Sequence, residues 1–317
     1  MNNIILKLIA QRLGVMIISL VIVSFAVFAA TQLLPGDVAE ILLGQAATPE
    51  AVAALREAMG LNQSALVRYF QWLAGLAQGD FGLSYVTDEP IVDLIAGRLQ
   101  NTLRLAGITA LFSVPQALSF GILTALYQDT RFDRIVSGIT VTVISVPEFM
   151  VATIAVLIFA VHLKWLPALS YANEITSLGH MLKIFAMPVI TLTFVISAQM
   201  IRMSRAAVIE TLNTPYCEMA LLKGASRIRT VMVHALPNAL GPIANAVALS
   251  VSYLLGGIII VETIFNYPGI AKLMVDAVAT RDLPLIQSCV MIFCFGYLVL
   301  IMLADIISIL ANPRLRT

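Results

Sequence analysis

The chain has 317 residues, of which 60% are hydrophobic and 12% are charged, and its formal net charge is +1. Soluble domains carry roughly 45–50% apolar and about 25% charged residues, so this composition excludes a water-soluble domain and indicates that lipid is the main solvent. The nearly neutral charge argues against a nucleic-acid partner, because phosphate binding needs a concentrated basic surface.

Six apolar segments are each long enough to cross a hydrocarbon core, which takes about 20 helical residues. They are residues 13–34, 105–127, 135–163, 184–201, 240–261 and 285–310. Each must be helical, because a span in lipid has to satisfy its own backbone hydrogen bonds. The first exceeds the roughly 7–15 apolar residues of a secretion signal, so we expect it to remain uncleaved. The sequence therefore predicts an all-α polytopic membrane protein with six transmembrane helices.

The segment between the first two spans is long, polar and acidic. A helix is predicted there from Pro49 to Met59, with Thr48 before its start and Gly60 after its end. We therefore expect three regions. Residues 1–34 form the cytoplasmic amino terminus and first span, residues 35–104 an external loop with short helices, and residues 105–317 a core of five spans that includes a cytoplasmic segment at 202–238.

The distribution of basic residues predicts the orientation. With the amino terminus inside, the cytoplasmic segments hold Lys7, Arg12, Arg131, Arg134, Arg202, Arg205, Lys223, Arg227, Arg229, Arg314 and Arg316. The two short outer loops hold only Lys164, Lys183, Lys272 and Arg281. Because short cytoplasmic loops are enriched in lysine and arginine, and long loops such as the first count little, both termini are expected to be cytoplasmic.

Two acidic residues are candidates for a pathway or gate. Glu148 follows Pro147 in the middle of the third span, where a carboxylate costs about 2.5–3.5 kcal/mol and is expected to face protein or water. It could serve a substrate amino group or a gate, beside a kink introduced by the proline; the favoured alternative is a neutral, hydrogen-bonded residue between helices. Glu262 could belong to an external gate, or it could be a solvated boundary residue. Asp305, near the inner end of the last span, is expected to pair with Arg314 or Arg316 or to extend toward the interface.

The cytoplasmic segment is patterned as a helix, a turn and a second helix. Thr214 and Pro215 form a helix start, Glu218 complements the positive end of the helix dipole, and Gly224 can end the helix. Ser226 then begins a second helix that enters the membrane at Pro237. We expect the first helix to be short and amphipathic. It could rest in lipid headgroups or dock on a partner protein; a DNA-reading role is disfavoured because no dense basic stripe is present.

The chain lacks the usual signatures of catalysis. None of its five lysines follows a glycine, so no Walker A motif for ATP binding exists. The three histidines are scattered, and Cys217, Cys289 and Cys294 have neither metal-ligand spacing nor an even count, so they are interpreted as small apolar fillers. We expect no enzyme activity, no metal and no cofactor bound by this chain.

The cytoplasmic segment resembles the EAA loop of binding-protein-dependent ABC permeases. It reads Tyr216-Cys217-Glu218-Met219-Ala220-Leu221-Leu222-Lys223-Gly224, followed by His234-Ala235-Leu236-Pro237-Asn238-Ala239. The form is similar to the peptide, nickel and opine branch, with Met219 in place of the middle alanine of the general pattern. Further strings of that branch are Leu34-Pro35-Gly36-Asp37, Arg68-Tyr69-Phe70-Gln71-Trp72-Leu73, Gly79-Asp80-Phe81-Gly82-Leu83-Ser84, Phe265-Asn266-Tyr267-Pro268-Gly269, Arg281-Asp282-Leu283-Pro284 and Asn312-Pro313-Arg314.

The resemblance implies a type I ABC importer permease fold in a bacterial inner membrane. It implies a heterodimer of two homologous permeases, two ATPase subunits that bind ATP and magnesium, and an extracytoplasmic solute-binding protein. It also implies that helix 214–223 couples to the ATPase. The coupling residues are Thr214, Pro215, Tyr216, Glu218, Ala220, Lys223 and Gly224.

Two rival functions are weighed against this interpretation. A secondary transporter driven by an ion gradient would show intramembrane acids in corresponding halves, and Glu148 has no evident counterpart. A self-sufficient channel is disfavoured because the sequence has no filter-like glycine string. The transported solute stays open among dipeptides, oligopeptides, nickel, glutathione, opines and sugars, with peptide as the default.

Overall fold

The computed structural model describes residues 2–33, 36–170 and 177–311 of the chain. These residues are mainly helical, and a single isolated β-bridge joins Leu83 to Pro90. The predicted all-α class is confirmed. Two parts of the strings quoted above lie outside the described residues: Leu34 and Pro35 of the first string, and the whole of Asn312-Pro313-Arg314.

Long helices are separated along the chain by one or more shorter ones. They are α1 (Asn2–Gln32), α2 (Val38–Leu43), α3 (Pro49–Ala58), α4 (Ala65–Gln78), α5 (Ile91–Leu126), α6 (Arg131–Ser145), α7 (Glu148–Ala155), α8 (Leu178–Leu212), α9 (Pro215–Leu222), α10 (Arg227–Arg229), α11 (Leu236–Ile264), α12 (Ile270–Thr280) and α13 (Leu283–Ala311). A π-helical turn, Val156–His162, follows α7, and another, Thr230–Ala235, joins α10 to α11.

The six predicted spans correspond to five unbroken helical runs and one bent pair among the described residues. The bent pair is α6 and α7, whose axes differ by 101°. The break falls at Val146 and Pro147: Val146 is extended with φ −95° and ψ 127°, as expected for a residue before proline. The proline kink that the sequence predicts is therefore present, and it is a complete interruption of the third span.

Several spans extend well beyond their apolar segments. Helix α5 has 36 residues, or about 54 Å at 1.5 Å per residue, whereas the hydrocarbon core is about 30 Å thick. It begins at Ile91, although its apolar segment begins only near residue 105. Hydropathy marks the lipid-facing part of such a helix, whereas backbone hydrogen bonding continues into the polar flank.

The first of two compact units holds most of the helix packing. It comprises Met1–Gly14, Leu103–Pro268 and Tyr297–Thr317. Within it, α8 packs against α6, α7 and α11, and a buried apolar cluster joins Val208 of α8 to Ile243 of α11. Helix α8 is therefore the central element of this unit.

The second unit comprises Val15–Thr102 and Gly269–Gly296. Buried Asp282 organises it: its carboxylate accepts hydrogen bonds from Ser84 Oγ and from the backbone N–H of Tyr85 at 3.1 Å. Gln287 Nε2 also donates to Thr31 Oγ1 at 2.6 Å. Burial raises the pKa of Tyr85; the nearby positive charge of Arg68 opposes that shift, and the negative charge of Asp282 adds to it.

Two helices approach closely at Gly121. A Cβ at this position of α5 would lie 2.8 Å from Ser204 Cβ and 3.1 Å from the carbonyl oxygen of Ile201, both on α8. The close approach requires a residue without a side chain, because the carbonyl oxygen of Ile201 is backbone and has little room to move.

The substitution Gly121→Ala is expected to destabilise the protein by about 1–3 kcal/mol, the usual cost of overpacking. Gly107→Ala in the same helix is the matched control, because a Cβ there meets nothing within 4 Å. Thermal unfolding of the purified protein in detergent measures both. Equal melting temperatures for the two variants would contradict the predicted contact.

Candidate coupling and pathway sites

The predicted cytoplasmic helix is α9, and its ends match the sequence signals. Thr214 occupies the N-cap position and Pro215 the first helical turn, although Thr214 Oγ1 donates to Thr211 O at 2.7 Å instead of capping the helix. At the other end Gly224 has φ +86°, and Ala225 N donates to Ala220 O at 3.1 Å. This is the left-handed termination that glycine favours.

The expected amphipathic pattern of α9 is wrong. Large apolar or aromatic side chains stand exposed around the helix, with Tyr216 57% and Leu222 75% accessible. Met219 and Leu221 are also exposed, while Cys217 is fully buried and anchors the helix to the rest of the unit. With only two turns, α9 uses one side chain for anchoring and presents apolar surface on its remaining sides. Such a surface is typical of a helix that enters a partner's groove.

A hydrogen bond ties α9 to the following helix. Tyr216 Oη and His234 Nδ1 are 2.9 Å apart, and the two rings meet edge to face with centroids 5.4 Å apart. His234 lies in the π-helical turn that precedes Pro237, whose ring would clash with a regular α-helical carbonyl four residues earlier. Ser226 accepts from Arg229 N at 3.3 Å, as a cap should.

The second helix of the predicted cytoplasmic segment is continuous with the fifth span. Helices α10 and α11 and the π-helical turn between them form one helical run, Arg227–Ile264. The Tyr216–His234 contact therefore joins α9 to a single long rod.

A groove of about 380 Å³ lies between α9 and this rod. Its walls include Tyr216, Ala220 and Lys223, which recur along one face of the helix, together with Arg229 and His234. The groove is therefore lined by a small residue, Ala220, and by the basic side chains of Lys223 and Arg229.

An ion pair that the sequence did not predict joins the third and fourth spans. Arg205 Nε and Nη2 reach the two carboxylate oxygens of Asp133 at 2.7 and 2.8 Å, and Ser137 Oγ donates to the same carboxylate at 3.1 Å. Asp133 is buried. Because charged residues have no helical periodicity that pairs one with another, the sequence alone offered no signal for this contact.

Glu148 is the first residue of α7, directly after the break at Pro147. Its carboxylate is half-buried and has no hydrogen bond or ion pair among the described residues. A Cβ on Gly257 would lie 3.0 Å from Glu148 Oε2 and 3.3 Å from Leu192 Cδ2. The carboxylate therefore occupies space that α11 leaves by having glycine at this point.

Glu262 is fully buried, with 0% of its surface accessible, so the alternative of a solvated boundary residue is wrong. It lies at the end of α11 close to Tyr267, whose backbone N–H donates to Glu262 O at 2.9 Å. Burial and the negative charge of Glu262 raise the pKa of Tyr267. Phe185 packs edge to face on Tyr267 with ring centroids 5.6 Å apart. The residue belongs to a packed cluster at the helix end.

The remaining candidates are Asp305, the cysteines and possible metal ligands. Asp305 pairs with Arg12 at 3.0 Å, whereas the predicted partners Arg314 and Arg316 lie outside the described residues. All three cysteines are free, and Cys217 and Cys289 are buried, as expected for apolar fillers. Among the described residues, no group of three or more histidine, cysteine, aspartate or glutamate side chains could hold a metal ion.

Comparison with known proteins identifies two matching family models. Residues 117–317 match the family described as "Binding-protein-dependent transport system inner membrane component". Residues 5–106 match the model of the amino-terminal segment of such membrane components. Together the two matches cover most of the chain.

Similar curated proteins align over nearly their whole length. "Probable peptide ABC transporter permease protein y4tP" of Sinorhizobium fredii is 33% identical over 308 residues, covering 97% of this chain and 98% of that protein. "Glutathione transport system permease protein GsiC" of Escherichia coli K12 is 33% identical over 311 residues, covering 98% and 99%.

The Glu148–Gly257 contact predicts a difference between two adjacent glycines of α11. Gly257→Ala is expected to lower the melting temperature of the purified protein, because the new methyl group displaces the Glu148 carboxylate and Leu192. Gly256→Ala is the matched control, since a Cβ there meets nothing within 4 Å. When Glu148 is already replaced by alanine, Gly257→Ala should lower the melting temperature much less, which a double-mutant cycle measures. Additive effects of the two substitutions would show that the residues do not interact.

Proposed function

This chain belongs to the family of binding-protein-dependent transport system inner membrane components, and from that premise we propose that it forms half of a pathway for peptides or a related small solute. It is the multi-pass permease subunit of an ATP-binding-cassette importer in the inner membrane, and not an enzyme. As such it works with an ATPase and a solute-binding protein. A transporter driven by an ion gradient is not favoured. Peptide as the substrate class is supported by the names of the relatives.

The complete assembly would contain a second homologous permease and two ATPase subunits that hold ATP and magnesium. Both termini of this chain would be cytoplasmic. The support is the concentration of arginine and lysine in the segments on the amino-terminal side of the membrane, among them Arg205, Lys223 and Arg229. That side also carries α9.

The observation that carries the mechanism is the exposed apolar helix α9, tied by Tyr216 to His234 at the foot of the fifth span. We infer that α9 seats in a groove of one ATPase, with Glu218 and Ala220 at the contact and Gly224 shaping the turn. Thr214 and Pro215 set where the helix begins, and Lys223 lines the groove behind it.

Movement of the ATPases would then be passed to the spans in two ways. The Tyr216–His234 contact moves α11 with α9. The Asp133–Arg205 ion pair holds the third span to α8, which leads into α9. Closure of the ATPases on ATP would rock these helices as a rigid group and switch access from one side of the membrane to the other.

Reconstitution with the ATPases and binding protein tests this mechanism. Wild-type protein should import peptide only when all partners and ATP are present. Gly224→Val is expected to lower uptake at least tenfold while ATP hydrolysis continues, because a β-branched residue resists a positive φ. Glu218→Lys should behave in the same way by reversing a charge at the contact.

Gly224→Asn is the matched control, because asparagine tolerates the left-handed conformation and should retain most uptake. A Cβ at position 224 meets nothing within 4 Å, so the loss in the valine variant would report backbone strain and not a clash. Normal uptake in both Gly224→Val and Glu218→Lys would refute the coupling role.

Glu148 is proposed as a pathway residue that attracts the amino group of a peptide. Its carboxylate lies beside the break at Pro147 and has no partner among the described residues, and an unpaired acid at membrane depth is usually functional. Glu262, packed at the end of α11, is proposed as part of the external gate.

Glu148→Gln keeps the shape of the side chain and removes its charge. The expected result is a weaker apparent affinity for peptides with a free amino terminus and little change for amino-acetylated peptides. Uptake kinetics in proteoliposomes measure this difference. Identical kinetics for both peptides in both proteins would assign Glu148 a purely structural role.

A further inference from the structure

A pocket lies where the second span ends and the third begins. It has a volume of about 510 Å³ and is formed by the end of α5, the turn after it and the start of α6. All of its lining residues belong to the first unit. They are Leu123, Tyr127, Thr130, Arg131 and Phe132. We call this group the span-end pocket.

The span-end pocket is at the level where the hydrocarbon ends. The apolar segment of the second span ends at residue 127, and that of the third begins at residue 135. Tyr127 is exposed, and its ring meets that of Phe132 edge to face with centroids 6.4 Å apart. Tyrosine is enriched at the level of the lipid headgroups, because its ring is apolar and its hydroxyl is polar. The pocket therefore borders both the hydrocarbon and the headgroups.

One side of the pocket continues into apolar surface. Leu123 and Phe132 line the pocket and are both exposed. Ile135 and Ile139 are exposed as well, and they follow Phe132 at helical spacing, so the three side chains share one face of α6. Apolar surface of this kind, at the edge of a hydrocarbon core, is suited to an acyl chain.

Two arginines stand at the polar side of the pocket. Arg131 lines it, and Arg134 follows one turn later, where residues three apart are neighbours on a helix surface. Both side chains are exposed. Within the part of the chain that the structure describes, neither arginine has an ion pair or a side-chain hydrogen bond.

The two acidic residues of this turn are directed to another arginine. Both carboxylate oxygens of Asp133 accept from Arg205, at 2.7 and 2.8 Å. Asp129 also interacts electrostatically with Arg205. Even when both acids are counted against Arg205, Arg131 and Arg134 together, one positive charge remains in excess. The region therefore attracts a negatively charged group.

We propose that the span-end pocket binds a phospholipid with a negatively charged headgroup. Its phosphate lies against Arg131 and Arg134, because a guanidinium fork matches phosphate oxygens. One acyl chain lies along Leu123 and Phe132 and continues into the hydrocarbon. Basic pockets beside spans suit anionic headgroups, and the apolar side adds the hydrophobic contact that holds the lipid in place. This site is independent of the solute that the protein carries.

A free phosphate ion is the other source of the same charge. Such an ion would use the arginines alone, whereas a phospholipid uses the arginines and the apolar side together. The structure favours the lipid, because the charge and the exposed apolar side chains adjoin in one pocket at the edge of the hydrocarbon.

The test counts lipids on the complete complex by mass spectrometry of the intact assembly. The complex is released from nanodiscs that contain equal amounts of phosphatidylglycerol and phosphatidylcholine, and the wild type is expected to retain phosphatidylglycerol preferentially. Arg131→Gln should weaken the binding of one phosphatidylglycerol per copy of this chain about fivefold, the usual effect of one basic residue near a membrane surface. Phe132→Ala should also weaken it, because the acyl chain loses part of its apolar contact.

Arg202→Gln is the matched control, because it removes the same charge from a residue that does not line the pocket and whose Nη2 donates to Gln199 Oε1 at 3.1 Å. An equal loss in Arg202→Gln would overturn the proposal, since it would report general surface charge. Equal retention of the two lipids by the wild type would also overturn it, as expected if another subunit covers the pocket.

Inorganic phosphate separates the lipid from the free ion. We expect phosphate added to the complex to leave the bound phosphatidylglycerol in place. If phosphate displaces the lipid and Phe132→Ala has no effect on lipid retention, the site takes a free phosphate ion and the lipid proposal is wrong.

Discussion

Lipid offers no hydrogen bonds, so each span of this chain must close its backbone hydrogen bonds within its own helix, and two of the described spans depart from the regular pattern. The third span breaks at Val146 and Pro147, and Glu148 stands directly after that break. The fifth span widens into a π-helical turn at Thr230–Ala235, and that turn carries His234. Pro147 accounts for the break, because it lacks a backbone donor and keeps Val146 extended. Pro237 accounts for the turn at Thr230–Ala235, because its ring would clash with the carbonyl four residues earlier.

Ion pairs balance charged side chains near the ends of the spans. Arg205 pairs with Asp133 and Arg12 with Asp305, so these charges near the ends of spans have partners. The buried carboxylate of Asp282 is surrounded by donors. Against this background the half-buried Glu148 and the buried Nε of Arg68 stand out, because neither has a partner among the described residues.

Helix α9 offers exposed apolar surface, so its binding to an ATPase would gain from burial of that surface and depend little on salt.

The sequence by itself determined the helical class, the positions of the spans and the bounds of α9. Those features follow from local rules: apolar length, proline at the first helical turn, and glycine at a positive φ. Tertiary structure alone decided that Glu262 is buried, that Asp305 pairs with Arg12, and that Arg68 and Arg281 line one pocket. These depend on which distant segments pack together, and hydropathy and helix periodicity do not record which polar residues will meet.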